Sequence, residues 1–148
     1  MQTMKKTILL VEDNDSDVDL AKRLLARESS ATDIIVASDG QEALDYMFGT
    51  GAYAGRDVMQ LPDLLLLDLH LPLVDGLEVL KHIRADERTR RQIVVVLTAS
   101  MEQSDILGCY DLGISSYIRK PVDFSTFTET LKCVSRYWLN INEPPPSI

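Results

Sequence analysis

The chain has 148 residues, with 15 basic and 23 acidic side chains and a formal net charge of −8. A chain of that length can build one sizeable hydrophobic core, so a single domain without disulfide or structural metal is expected. The acidic balance argues against the basic face that neutralises nucleic-acid phosphates, and equally against docking on an anionic membrane surface.

The amino terminus, Met1-Gln2-Thr3-Met4-Lys5-Lys6, leads into a short strand rather than a signal-peptide apolar region. No run reaches the roughly 18 apolar residues of a membrane span, and the expected location is the cytoplasm. The first strand, Thr7-Ile8-Leu9-Leu10-Val11, runs into Glu12-Asp13. Val18, Ala21, Leu24 and Leu25 then form a helical stripe, with Asn14 or Asp15 set to cap it. Ile34 to Ala37 reads as a second strand, Asp39-Gly40 as a turn, and Gln41 to Phe48 as a short helix. From Gly49 to Pro62 the rhythm breaks into a long connection. Tyr53, Val58 and Met59 are available to pack it down, so it is either a structural excursion or a partner contact.

Asp63-Leu64-Leu65-Leu66-Leu67 ends at Asp68, and after Asp75-Gly76 the residues Leu77, Leu80 and Ile83 repeat at helical spacing. Ile93 to Leu97 ends at Thr98, followed by Ser100-x-x-Gln103 as a capping box for a helix that stops near Gly113. Tyr117-Ile118-Arg119 delivers Lys120-Pro121, and a last helix runs from about Asp123 to about Leu139. The tail, residues 142–148, is Pro-rich and reads as an extended, flexible end. Cys109 and Cys133 read as reduced, partly buried thiols; His82 reads as structural or exposed.

Short, wholly apolar strands alternating with helices predict an α/β fold, a parallel sheet buried on both faces by helices, with five βα units filling the chain. Ligands of such open sheets bind outside the carboxyl ends of the strands. Glu12, Asp13, Asp68, Thr98 and Lys120 therefore gather at one edge. Adjacent buried acids need a positive partner, and a hard divalent cation suits carboxylates, waters and phosphate oxygens. A carboxylate can act as a nucleophile that forms an acyl phosphate. A threonine hydroxyl and a lysine ammonium suit the remaining phosphoryl oxygens. Each signal alone is commonly structural; together, in this order, they point to metal-assisted phosphoryl transfer to an aspartate.

The stretches ILLVEDN (8–14), PDLLLLDLHLP (62–72) with DG at 75–76, VVVLTAS (94–100) and SSYIRKP (115–121) resemble the receiver domain of bacterial response regulators. The resemblance covers about Lys6 to Leu139 and implies a doubly wound, flavodoxin-like (βα)5 three-layer sandwich with a five-stranded parallel sheet. It places the receiver domain at 1–141, with its core at 6–139 and no output domain. It further implies Asp68 as phosphoacceptor, with Mg²⁺ (or Mn²⁺) held by Asp13, Asp68, the backbone carbonyl of His70 and, mainly through a water, Glu12. Thr98 and Lys120 would bind the phosphoryl group, Thr98 and Tyr117 would form the switch, and the Lys120–Pro121 peptide is expected to be cis. His70 and Ser100 lie at positions that tune the path of the hydrolytic water: His70 either orders or obstructs it, or is a solvent-facing rim residue.

The long connection before Pro62, the Cys109-Tyr110-Asp111-Leu112-Gly113 helix end and Tyr137-Trp138-Leu139 look like the single-domain phytochrome-associated response regulators. The implied partner is a sensor histidine kinase, a bacteriophytochrome or phytochrome. The implied output is protein contact with an unknown downstream partner, without enzymatic turnover of an external substrate. In the last helix, Phe124, Phe127, Leu131, Val134 and Trp138 form a seam that packs on the sheet. Tyr137, Leu139 and Ile141 continue the apolar character beyond it, and a homodimer through the fourth helix, fifth strand and fifth helix is the corresponding expectation. Rival readings are a haloacid-dehalogenase-like phosphatase, a flavodoxin-like mononucleotide binder, a phosphorylation-independent interaction module, and a relay intermediate that passes phosphate to a histidine phosphotransfer protein. The phosphatase needs a second acid where this chain has His70. The mononucleotide binder needs a phosphate loop where it has Glu12-Asp13-Asn14-Asp15.

Overall fold

The computed structural model describes residues 5–29 and 31–146. Within them the chain alternates β1 (Lys6–Val11), α1 (Asp15–Glu28), β2 (Thr32–Ala37), α2 (Gly40–Phe48), β3 (Leu64–Leu67), α3 (Gly76–Ala85), β4 (Val94–Thr98), α4 (Gln103–Asp111), β5 (Ser116–Arg119) and α5 (Phe124–Arg136). The five strands form one sheet in the order β2-β1-β3-β4-β5, every pair parallel.

Strand alternation divides the core into two layers. Leu9, Val11, Leu65, Leu67, Val94 and Val96 face α2, α3 and α4, packing on Ala43, Met47, Val79, Leu80, Ile83 and Cys109. Ile8, Leu10, Leu64, Leu66, Val95 and Leu97 face α1 and α5, packing on Ala21, Leu24, Leu25, Phe127, Leu131 and Val134. This is why Leu64 to Leu67 is an unbroken leucine run, since each residue enters one layer or the other. Burial of each such side chain contributes about 1.5–3 kcal/mol. The outer strands β2 and β5 are only partly buried, which accommodates Asp33 and Arg119.

Helix starts follow local chemistry. Asn14, Asp39, Asp75 and Asp123 each cap a helix, accepting an N–H from Asp17, Glu42, Glu78 and Thr126 respectively. The Ser100…Gln103 capping box does not form. Glu102 stands at the cap without a side-chain bond, because α4 begins only at Gln103; Ser100, two residues ahead of the cap, accepts the Glu102 N–H at 3.3 Å and donates its hydroxyl to Asp105 at 2.6 Å. Gly40 and Gly76 are obligatory for close approach: a Cβ at Gly40 would lie 1.7 Å from the Val74 carbonyl oxygen, and one at Gly76 would lie 2.5 Å from that of Asp68.

The 49–62 connection is a packed excursion. It opens with a 3-10 turn, Gly51–Tyr53, and the Tyr53 ring meets Tyr46 edge to face at 5.1 Å. Arg56 donates to the Tyr46 carbonyl (2.7 Å), and Arg88 spans the carbonyls of Val58 and Met47. Met59 takes no part and is exposed. After α5 the chain widens into a π-helical turn, Tyr137–Ile141. That turn corrects one expectation: Leu139 swings into the α1–α5 layer and is buried, leaving Tyr137 and Ile141 exposed; Phe124, expected in the sheet-packing seam of the last helix, is exposed at the first turn of α5 instead. Cys109 is buried, whereas Cys133 and His82 are exposed. No helix among the described residues is long and apolar enough to cross a membrane. The expectations for Met1 to Met4 and for the tail end Ser147-Ile148 lie outside the described residues.

Candidate functional site

Strand order reverses direction between β1 and β3, and the crevice at that switch point is where ligands of such sheets bind. Glu12 and Asp13 follow β1 there, and Asp68 follows β3. Pairing continues just past the strand ends: Glu12 N–H donates to the Ala37 carbonyl and Asp68 N–H to that of Val11. The backbone thus delivers both acids at fixed depth. Glu12 and Asp68 are buried, Asp13 is exposed, and each of the three offers an oxygen within 4.8 Å of the others.

Lys120 comes in from the end of β5, where its N–H bonds the Thr98 carbonyl at 2.7 Å. Its ammonium meets three carboxylates: Glu12, Asp68 Oδ2 at 3.1 Å and Asp17 Oδ2 at 3.0 Å. Burial works against the ammonium, but bonds to Glu12 and Asp17 and the charge of Asp68 outweigh it and hold the Lys120 pKa above the ordinary lysine value. Burial also pushes the Glu12 carboxyl up, against the opposing pull of Lys120 and the Asn14 N–H.

Lys120 reaches these partners with the Lys120–Pro121 peptide in the trans form, since no cis peptide occurs among the described residues. The expected cis bond is thus not found. Trans is the intrinsically favoured X–Pro isomer by about 0.5–1 kcal/mol, and the flexible lysine stem supplies the reach.

The remaining predicted residues divide into two groups. Thr98 is fully buried at the end of β4, and its Oγ1 accepts the Ser100 N–H at 3.3 Å. The His70 N–H donates to Asp68 Oδ1 at 3.3 Å. The His70 imidazole is 68% exposed, with Nε2 3.9 Å from Asp105 Oδ2. Tyr117 lies apart from the carboxylates. Its hydroxyl donates to the Ser100 carbonyl (2.9 Å), and burial raises its pKa.

Sequence reasoning missed Asp17 and Asp105. An acid in the first turn of a helix is ordinarily explained by the helix dipole, which hid Asp17. Asp105 joins Ser100 only through the path of the β4–α4 loop. With Asp17 counted, four carboxylates (Glu12, Asp13, Asp17, Asp68) stand at the site against one ammonium, which contacts three of them. That surplus of negative charge and the converging oxygens of Glu12, Asp13 and Asp68 fit a hard divalent cation with an oxygen shell.

Residues 8–132 match the response regulator receiver domain family. The chain is 41% identical over 138 residues to the probable methanogenesis regulatory protein FilR2 of Methanothrix harundinacea, covering 93% of this chain and 86% of that one. It is 33% identical over 134 residues to the response regulator Rcp1 of Synechocystis sp., covering 90% and 89%. The crystal structure of the phosphorylated cyanobacterial phytochrome response regulator RcpA superposes with a TM-score of 0.89 at 38% identity, over 96% of this chain and 99% of that one. The Mn²⁺-bound form of Rcp1 gives 0.87 at 32% identity, over 95% and 99%.

Proposed function

Because this chain belongs to the response regulator receiver family, with the cyanobacterial phytochrome response regulator RcpA among the proteins it resembles, we propose that it takes a phosphoryl group from a histidine kinase onto Asp68. The observation that carries this reading is the Lys120 ammonium 3.1 Å from Asp68 Oδ2, beside the converging oxygens of Glu12, Asp13 and Asp68.

In the proposed reaction an Asp68 carboxylate oxygen attacks phosphorus in line, forming the O–P bond as the P–N bond to the kinase histidine breaks. The imidazole leaves with that electron pair. Asp13, Asp68, the His70 carbonyl and, mainly through a water, Glu12 would hold a divalent cation, Mg²⁺ or Mn²⁺, which would supply positive charge against the phosphoryl oxygens. The Lys120 ammonium and Thr98 hydroxyl each donate to a phosphoryl oxygen, fixing the group for transfer. Drawing Thr98 towards the phosphoryl group favours the inward Tyr117 orientation, biasing an existing equilibrium at α4, β5 and α5. The protein then signals through that face by contact with a partner or a second copy. Exposed Leu107 and Tyr110 on α4, with Val122 and Phe124 at the start of α5, support this use of the face.

The likeness to RcpA, a phytochrome response regulator, supports a phytochrome-type photoreceptor kinase as donor. The test is phosphotransfer from candidate histidine kinases in Mg²⁺. Label is expected on the native chain and not on Asp68→Asn; equal labelling of both would overturn the assignment. Sedimentation with and without beryllofluoride tests the homodimer, and a monomer at micromolar concentration in both conditions would refute it.

A further inference from the structure

Two of the three carboxylates on Lys120, those of Glu12 and Asp68, belong to the converging set that fits a cation, and the third, Asp17, does not. Asp17 sits in the first turn of α1, four residues after Asp13. Its backbone is fixed there, because the Asp17 N–H donates to Asn14 Oδ1 at 3.0 Å. Its side chain is 34% exposed, against 14% for Lys120 and 10% for Asp68. It therefore reaches in from the rim to a charge that is otherwise buried.

An ammonium has three N–H donors, and in the structure each of the three carboxylates lies within reach of one. A cation drawn between Glu12, Asp13 and Asp68 would take lone pairs from Glu12 and Asp68, and a phosphoryl group on Asp68 would take over the N–H that points at that carboxylate. Only Asp17 keeps its full charge for Lys120 throughout. Lysine is a point charge on a flexible four-carbon stem, so without such a partner the phosphoryl oxygen alone would hold Lys120 over the loaded site.

We propose that Asp17 is a positioning residue for phosphoryl binding: it anchors Lys120 over the site when metal and phosphoryl group engage Glu12 and Asp68. This rests on the phosphoacceptor reading given above. It assigns a role to a residue that neither binds the metal nor touches the phosphoryl group.

The test uses the full chain at saturating Mg²⁺, titrated with beryllofluoride and followed by amide chemical shifts, together with water exchange of the Lys120 ammonium hydrogens in the loaded protein. Asp17→Ala is expected to weaken beryllofluoride binding by about five- to tenfold and to speed Lys120 exchange. Asp17→Asn, which keeps the shape and a neutral acceptor, is expected to recover part of both. Unchanged affinity in Asp17→Ala overturns the role, as does weakened affinity with Lys120 exchange unchanged. A native chain that gives no beryllofluoride response refutes the phosphoacceptor reading itself. A native chain and an Asp17→Ala chain that respond equally refute only the anchor.

Discussion

The Tyr117 hydroxyl donates to the Ser100 carbonyl at 2.9 Å, tying the middle of β5 to the loop that leaves β4. Ser100 is itself held from two sides: its N–H bonds Thr98 Oγ1 and its hydroxyl bonds Asp105 of α4. Ser100 thus links the buried threonine of the site, through its N–H, to the half-buried Tyr117 ring, through its carbonyl. Tyr117→Phe removes the donor while keeping the ring. Its expected cost is about 0.5–1.5 kcal/mol in urea unfolding, with amide shifts concentrated in residues 99–106. Shifts spread evenly over the sheet would contradict a local tie.

Gly76 sets how closely α3 approaches the loop carrying Asp68. An added Cβ would meet the Asp68 carbonyl oxygen at 2.5 Å and Leu69 Cα at 2.6 Å, and both are backbone atoms that cannot rotate away. Gly76→Ala should therefore destabilise by about 1–3 kcal/mol or more and displace the Asp68 loop, weakening Mg²⁺ binding several-fold. Calorimetry with Mg²⁺ titration checks both, and Mg²⁺ affinity equal to that of the native chain would show that the loop does not depend on this approach.

Arg88 is the clasp of the 49–62 excursion, donating to the Val58 carbonyl (2.5 Å) and the Met47 carbonyl (2.6 Å) while its guanidinium lies 5.4 Å from the Phe48 ring centre. Arg88→Ala should cost about 2–3 kcal/mol, since hydrogen bonds from a charged donor are the stronger kind. Amide exchange should accelerate in residues 49–61 and not in β1 or β3.

The two thiols should separate by reactivity and by pH. Burial, with a smaller push from the Asp105 charge, raises the Cys109 thiol to about 11 from an ordinary 9.0. The folded state therefore holds this proton more tightly than the unfolded chain does. The resulting stability is complete below pH 9 and is lost as pH rises towards 11, amounting to roughly 2–3 kcal/mol. The stability gap between the native chain and Cys109→Ser should shrink by that amount between pH 8 and pH 11, measured by urea unfolding. At pH 8 a thiol reagent should modify the exposed Cys133 and spare Cys109.

Much of this was legible from residue types because it depends on local periodicity. The leucine and valine runs announce strands buried on both sides, and they end on Glu12, Asp13, Asp68 and Thr98 at the same edge because parallel strands share a direction. Asn14, Asp39, Asp75 and Asp123 announce helix starts because their short side chains reach the free N–H groups of the next turn. What the one-dimensional pattern could not carry were contacts across large sequence separations: Asp17 on Lys120, and Arg88 on Val58 and Met47. The capping box at Ser100 failed locally, because α4 starts at Gln103 and leaves Ser100 two residues ahead of the cap. The apolar patch expected at Leu139 vanished because a π-helical turn rotates that side chain inward. Strand and helix identity follow from short-range sterics and the alternation of apolar residues. The grip on Lys120 follows only from packing α1 and β5 against the same end of the sheet, where charges far apart in sequence must neutralise one another.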